Sequence, residues 1–352
     1  MHLTQPHTDS MELDLAYPHS KQKLTKSTKS VIVFKTTTST STDSLSTNAS
    51  TSLTSSSINS SSNNFELYSN YNSALFEFVY ISNKEQTQHV DEYLNDIYCN
   101  LLREEENSFP KINPMFIEFQ PEINQQMRAI LIDWIIEVHL RFNLKTKTLF
   151  LAVHILDTYL SLASIQRSKF QLLGITALLI ASKQEEIYTQ FKLKDLCETT
   201  DNAYTVDQLR KMESIVLNVI QFNLLSPTAL DFYEILAKYF QFNKRQFHFG
   251  QFFMESFIIG CNYAQVNSSV IACASAYIVM KFFKLKNYQI CYDQRLYSVN
   301  ENRNVIKDTA KEMCCFVENL DSKELQSVRN KFSLEQFDGV AFLCYRNKRN
   351  NY

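Results

Sequence analysis

Residues 172–181 read Leu-Leu-Gly-Ile-Thr-Ala-Leu-Leu-Ile-Ala, a run in which every side chain is apolar or small. A helix without a polar face is expected to be buried on all sides. The glycine and the alanines let neighbouring helices approach this backbone closely. The stretch therefore predicts the central helix of an all-α core.

A second run of apolar and small residues lies at 270–280, which read Val-Ile-Ala-Cys-Ala-Ser-Ala-Tyr-Ile-Val-Met. Around both runs apolar residues recur at helical spacing, whereas alternating strand patterns and glycine turns are scarce. The chain thus resembles two copies of one unit, each a buried helix wrapped by amphipathic ones. Helices are predicted over 88–105, 122–141, 145–162, 168–185, 191–199, 205–221, 227–240, 244–263, 268–284 and 303–320.

Composition argues against several classes of protein. The 352 residues carry a formal net charge of -2, which gives no strong overall attraction to nucleic acid or anionic membrane. Only four glycines occur, so a phosphate-binding glycine loop cannot be built. The eight cysteines form no Cys-x-x-Cys pair, which favours a reducing compartment. The longest apolar runs fall short of the roughly 20 residues that span a bilayer.

Catalytic signatures are missing from the sequence. The seven histidines are dispersed, and no metalloprotease, nucleophile-elbow or kinase catalytic-loop motif occurs. Glu185 and Glu186 are adjacent, so on a helix they point apart and make poor acid–base partners. We therefore expect a protein that is not an enzyme and that needs no cofactor or metal.

Residues 1–85 are rich in Ser, Thr and Asn and contain few apolar groups. Such a segment cannot bury enough apolar surface to offset its ordering entropy, so we expect a disordered tail. From about residue 86, apolar residues begin to recur at helical spacing. Residues 86–121 are then expected to hold a helix and a linker, followed by helical units over 122–226 and 227–345.

Several separate motifs, in order and at matching spacing, resemble the cyclin box of A- and B-type cyclins. They are Met127–Val138, Leu156–Ser161, Lys169–Gly174, Ala181–Tyr188, Arg210–Glu213 and Phe222–Leu224. Tyr93–Tyr98 resembles the helix that precedes the box, and Val328–Phe332 resembles the end of the second fold. The resemblance implies two tandem five-helix cyclin folds behind the tail, with 122–226 as the N-terminal cyclin box and 227–345 as the C-terminal fold.

The resemblance also implies a surface that binds a cyclin-dependent protein kinase. Its residues would be Lys183, Glu213, Gln184, Leu217, Phe222, Leu224, Tyr93 and Ile97. Lys183 and Glu213 would bond to kinase backbone and fix its orientation. Gln184 departs from the family, which usually has an aromatic residue there. Taken without the family, Lys183 and Glu213 could equally form an ordinary intramolecular salt bridge.

Met127, Ile130, Leu131 and Trp134 share one helix face because their spacing is i, i+3, i+4 and i+7. By itself such a stripe could face the core. In cyclins it is the exposed patch that docks substrates and inhibitors with basic-x-Leu motifs. By resemblance this docking patch would comprise Met127, Ile130, Leu131, Trp134, Glu137, Arg167, Phe170, Gln171 and Asp201. Phe170 stands where the family usually has Leu.

Arg128 and Asp157 match a buried family pair that ties two helices together, and Leu172 matches a core position. The resemblance implies a regulatory subunit that activates a cyclin-dependent kinase in cell-cycle control, located in nucleus and cytoplasm. Neither nucleic acid nor membrane is an expected partner. Two alternatives are a nucleic-acid-binding transcription factor with tandem cyclin folds and a helical scaffold that does not activate a kinase. Lysine plus arginine and acidic residues are close to balanced after Pro227, which weighs against the first.

Overall fold

The structure, a computed structural model, describes residues 93–108, 110–187, 191–286, 303–320 and 325–344. Every regular element in these ranges is helical, and they contain no strand. The all-α prediction is confirmed. The expected tail, residues 1–85, lies outside the described residues.

One helix precedes two successive units of five α-helices each. Helix α1 is Leu94–Asn107. The first unit comprises α2 (Gln125–Arg141), α3 (Thr146–Leu162), α4 (Phe170–Glu185), α5 (Leu193–Thr199) and α6 (Val206–Val219). The second comprises α7 (Ala229–Tyr239), α8 (Lys244–Phe257), α9 (Ser268–Phe282), α10 (Arg303–Leu320) and α11 (Ser327–Phe332). Short 3₁₀ turns lie at Phe116–Phe119, Arg167–Lys169, Cys261–Gln265 and Glu335–Phe337.

The two apolar runs form the centres of these units. Helix α4 is buried continuously from Phe170 to Ser182, and α9 from Ser269 to Met280. Gly174 brings α4 against α2, because a β-carbon there would lie 2.8 Å from a methyl carbon of Leu131. Each central helix is therefore shielded by its neighbours on every side, as its lack of a polar face requires.

Local caps explain where some helices begin. Asn124 Oδ1 accepts from the amide of Met127 at 3.0 Å, so α2 begins at Gln125 instead of at residue 122. The side chain of Asp231 accepts from the amide of Thr228 at 2.9 Å, and α7 begins at Ala229, beyond Pro227. Caps of this kind satisfy amides that the first helical turn leaves without partners.

The predicted helix over 244–263 is wrong beyond Phe257. The carbonyls that follow the helix end are bonded to Arg128 Nη1, which donates to the oxygens of Ile258, Ile259 and Gly260 at 3.1, 3.2 and 3.1 Å. A cation at a helix C-terminus both satisfies orphan carbonyls and complements the helix dipole. The chain then continues as a 3₁₀ turn at Cys261–Gln265.

Gln251 links the start of α3 in the first unit to a buried ion pair within the second unit. Lys331 Nζ on α11 lies 2.7 Å from Glu255 Oε1 on α8, and both side chains are almost fully buried. Gln251 Nε2 donates to that same Glu255 oxygen and to Thr146 Oγ1 at the start of α3, each at 2.8 Å. These bonds give the buried charges partners, as burial requires.

No helix in the described ranges has the length and apolar character that crossing a membrane demands.

Gly250 is a position where a side chain cannot fit. A β-carbon there would overlap the Tyr233 hydroxyl and lie 2.7 Å from Ser275 Oγ. We expect Gly250→Ala to lower the free energy of unfolding by about 1–3 kcal/mol, the usual cost of overpacking a core. Urea denaturation measures this loss. The loss should shrink in a Tyr233→Phe background, which lacks the hydroxyl, and an equal loss in both backgrounds would contradict the steric explanation.

Candidate functional site

Lys183 and Glu213 meet at the surface of the first unit. Lys183 lies in the last turn of α4 and Glu213 lies on α6, and their Nζ and Oε1 atoms are 2.5 Å apart. The lysine side chain is 47% exposed and the glutamate side chain 15% exposed. Their pairing is the intramolecular salt bridge that the sequence left open as an alternative. Because the lysine remains accessible, the same groups can also bond to a partner.

Apolar side chains that a globular protein would usually cover are exposed on the elements that carry this pair. Phe222, in the turn after α6, is 64% exposed, while Leu217 and Leu224 are half-buried. Gln184 is exposed beside Lys183. The turn is held by a bond from the Phe222 amide to the Leu217 carbonyl, at 2.9 Å. Phe222 has a φ of 56°, which is uncommon for an aromatic residue.

Tyr93, the residue before α1, is 56% exposed, and Ile97 on α1 is 37% exposed. Helix α1 packs on the second unit, where the Tyr98 ring lies edge-on to Phe232 with centroids 5.5 Å apart. All eight residues assigned to the kinase-binding surface are therefore exposed or half-buried. The resemblance did not single out two further exposed residues, Ile187 at 81% and Leu225 at 77%. Ile187 lies within the Ala181–Tyr188 motif and Leu225 follows the Phe222–Leu224 motif directly, so their apolar character at these positions is the signal that could have found them.

Glu186 anchors the end of α4 to the start of α3. Its Oε1 accepts from the Lys145 amide and from Thr148 Oγ1, each at 2.7 Å. The Lys145 side chain provides no cap of its own. Glu186 thus performs that capping from a distant part of the chain, and it fixes the turn that follows Lys183 and Gln184.

The expected docking patch is less open than the sequence indicated. Four of its apolar residues are buried, namely Met127 (8% exposed), Leu131 (0%), Trp134 (5%) and Phe170 (0%). Ile130, Arg167 and Asp201 are half-buried, and Glu137 is exposed. The expectation of an exposed apolar stripe on α2 is therefore wrong for Met127, Leu131 and Trp134, and Phe170 on α4 is buried as well. The reason is that α2 packs against α4 on one side and against α11 on another, so little of its surface is left for water.

Gln171 stands out within this patch. Its side chain is buried, yet among the residues that the structure describes neither the amide nitrogen nor the amide oxygen has a hydrogen-bond partner. A buried amide without partners is costly. One donor and one acceptor on the same side chain suit the backbone of an extended peptide, which offers one of each per residue.

Asp133, which the sequence did not single out, fastens α2 to the second unit. Its two carboxylate oxygens accept from the Ser327 amide at 3.0 Å and from Ser327 Oγ at 2.8 Å. Burial raises the pKa of this carboxyl to about 6, although the bonds from Ser327 oppose the shift. In the sequence, an aspartate between Ile132 and Trp134 looks like an ordinary surface residue of an amphipathic helix. Its role in joining the two units is evident only from its bonds to Ser327.

Arg128 and Asp157 form a buried bidentate pair. Arg128 Nε donates to Asp157 Oδ1 at 2.8 Å and Nη2 donates to Oδ2 at 2.6 Å. Both side chains are almost completely shielded from water. Because Arg128 also holds the carbonyls that follow α8, one guanidinium joins α2, α3 and the second unit. Leu172, the other residue assigned to the core, is 5% exposed.

Comparisons with known proteins agree with this architecture. The family model described as "Cyclin, N-terminal domain" matches residues 96–225, and "Cyclin, C-terminal domain" matches residues 227–345. The X-ray structure of a viral cyclin from herpesvirus saimiri superposes with a TM-score of 0.55, covering 67% of this chain and 99% of that one. At 18% identity, this likeness concerns the fold alone.

Curated relatives match over most of the described chain. The G2/mitotic-specific cyclin-B of Hydra vulgaris is 32% identical over 252 residues, which cover 72% of this chain and 68% of the relative. The cyclin-B2 of Homo sapiens is 32% identical, with 75% and 65% covered, and the cyclin-B of Patella vulgata is 34% identical, with 74% and 62% covered. The chain thus spans about two thirds of the length of these relatives. On two matched domains and on these relatives, the chain belongs to the cyclin family.

Proposed function

We propose that this cyclin is the regulatory subunit of a cyclin-dependent Ser/Thr kinase in cell-cycle control. The observation that carries the proposal is the accessible Lys183–Glu213 pair on elements that also carry exposed and half-buried apolar residues. Exposed apolar groups beside directional charges are the composition of a protein-binding surface. The mitotic cyclins to which the chain is similar support a kinase as the partner.

The proposed mechanism is allosteric. A kinase becomes active when its regulatory helix sits inward, because the helix glutamate then pairs with the lysine that holds the nucleotide phosphates. The cyclin surface would hold that helix inward, with Phe222, Leu217 and Leu224 supplying apolar contact and Lys183 and Glu213 fixing orientation. Binding energy that favours the active state shifts the kinase population toward it. In this mechanism the cyclin carries no catalytic group of its own.

Reconstitution of the full chain with a panel of purified cyclin-dependent kinases tests the function. The complex is scored by size-exclusion chromatography, and activation by phosphorylation of a generic substrate. A stable complex with strongly raised kinase activity supports the proposal. If the chain forms a complex with none of the kinases, the proposal is overturned and the scaffold and transcription-factor alternatives remain. Salt-dependent DNA binding would then favour the transcription factor over the scaffold.

The patch on α2 is proposed to dock peptides with a basic-x-Leu motif. Gln171 supports this, because its unpaired amide would gain two bonds from a peptide backbone. Glu137 and Asp201 would receive the basic residue, and the apolar side chains around Trp134 would receive the leucine. Docking of this kind raises the local concentration of substrate near the kinase.

Gln171→Ala is expected to weaken peptide binding about tenfold, the effect of losing one or two net hydrogen bonds. Trp134 is the only tryptophan of the chain, so its fluorescence reports binding directly. The control is Gln126→Ala, which alters an exposed glutamine on α2, the helix that carries Trp134. A peptide with alanine in place of its leucine should leave the fluorescence unchanged. Equal affinity for wild type and Gln171→Ala would refute the docking assignment.

We also propose that this cyclin acts in the nucleus and the cytoplasm, and that it binds its partners without nucleic acid or membrane. The near balance of basic and acidic residues supports the second part. Imaging of a tagged full chain tests the location, and retention on DNA or vesicles at physiological salt would contradict the proposed choice of partners.

A further inference from the structure

Helix α1 has two faces with different surroundings. Tyr98, Leu102 and Glu105, at i, i+4 and i+7, form the face that packs on the second unit. Tyr98 reaches both Phe232 on α7 and the thiol of Cys273 on α9, at 3.8 Å between oxygen and sulfur. Tyr93 and Ile97, which belong to the proposed kinase-binding surface, are exposed. The second unit therefore carries α1, although no residue of α7–α11 belongs to that surface.

At the start of α9, hydrogen bonds add to the apolar contacts that hold α1 on the second unit. Asn267, the residue before α9, makes no side-chain cap. Glu105 provides the cap from α1 instead. Its Oε1 accepts from the Ser269 amide at 3.0 Å and its Oε2 accepts from Ser269 Oγ at 2.6 Å. A carboxylate at a helix N-terminus satisfies orphan amides and faces the positive end of the helix dipole.

The environment of this bond makes it selective for one geometry. Ser269 is fully buried, so its hydroxyl and amide depend on Glu105 for bonds in a site shielded from water. Burial raises the pKa of the Glu105 carboxyl, although the bonds from Ser269 oppose the shift. Glu105 and Ile97 are eight residues apart on one helix, about 12 Å along its axis. Because α1 is one continuous helix, a displacement of its backbone at Glu105 also displaces Ile97.

We propose that Glu105 is a positioning residue for kinase binding. By capping α9 it sets the register of α1 on the second unit and so holds Tyr93 and Ile97 in place for the kinase. This inference rests on the proposed function, and it gives the C-terminal fold a part in kinase binding that it performs without touching the kinase.

A double-mutant cycle on the full chain tests the proposal, with a kinase that binds the wild type. Glu105→Ala is expected to weaken the complex about five- to tenfold, a common size for coupling between residues of one element. In a background of Tyr93→Ala with Ile97→Ala, the same change should have almost no effect, because the contacts it positions are already gone. Ser269→Ala, a milder change to the same cap, should reproduce the pattern. Glu104→Ala is the control. Glu104 is exposed, and its side chain accepts a hydrogen bond from Asn100 on its own helix.

The outcomes separate this inference from the function beneath it. An equal weakening by Glu105→Ala in both backgrounds would mean a general structural role and would overturn the positioning role. Unchanged affinity for Glu105→Ala and Ser269→Ala, in a protein whose Lys183→Ala, Glu213→Ala variant binds poorly, would overturn the inference and leave the function standing. Failure of the wild type to bind any kinase would overturn both. If Glu105→Ala does not fold, the cycle with Ser269→Ala decides.

Discussion

Replacing Lys183 and Glu213 together by alanine is expected to weaken kinase binding by at least about 100-fold, the range of an interface hot spot. Activation of the kinase should fall in parallel. The protein itself should stay folded, because an exposed salt bridge contributes about 0–1 kcal/mol to the free energy of unfolding. The pair is accessible, with 47% of the lysine side chain exposed, so its removal leaves no buried charge behind. Isothermal titration calorimetry measures the affinity and circular dichroism the fold.

Helix α6, which carries Glu213, offers a matched control. Asp207 and Arg210 on α6 form an ion pair whose side chains are 81% and 62% exposed. Changing both to alanine removes as much charge from α6 and its surroundings but touches no residue of the proposed kinase-binding surface. We expect kinase affinity within about twofold of wild type, as for surface changes outside an interface. A folded Lys183→Ala, Glu213→Ala protein that still activates the kinase fully would rule out the proposed surface.

Asp157→Ala is expected to lower the free energy of unfolding by about 3–5 kcal/mol, because it leaves the Arg128 guanidinium buried without its carboxylate. Arg128 also holds three carbonyls after α8, so the loss should be felt in both units. Urea denaturation followed by circular dichroism measures the change. An exposed pair provides the comparison. Asp308→Ala removes the partner of Lys311, whose side chain is 75% exposed, and should cost less than about 1 kcal/mol.

A double replacement shows whether the buried charge itself causes the loss. Arg128→Met with Asp157→Leu keeps the volume apolar and removes both charges, so its cost should be smaller than the sum of the single changes. Some cost remains because the carbonyls after α8 lose their donor. Additive losses, or an Asp157→Ala loss no larger than that of Asp308→Ala, would show that the pair does not determine stability.

Local pattern predicted much of the helical architecture. The apolar runs at 172–181 and 270–280 became α4 and α9, because a segment without a polar face has no other stable location. Helix ends were less accurate. The helix predicted over 244–263 ends at Phe257, where the following carbonyls bond to Arg128, a residue 130 positions away from Ile258. No local pattern contains that donor.

The candidate site divides in the same way. The resemblance placed Lys183, Glu213 and Phe222 on one surface, and these residues are accessible in the structure. It also predicted an exposed stripe on α2, whereas Met127, Leu131 and Trp134 are covered. Helical periodicity shows which residues share a face, but it does not say which neighbouring helix covers that face.

By itself the sequence determined the all-α class, the repeated unit with its buried central helix and the family, since these depend on side-chain character within single segments. Only the tertiary structure decided the partners of Glu105, Asp133 and Glu186. Each of these carboxylates caps backbone amides in a distant segment, 164 residues away in the case of Glu105 and Ser269. A glutamate on an amphipathic helix looks the same in sequence whether it faces water or a helix end, because its role depends on which orphan amide the fold brings to it.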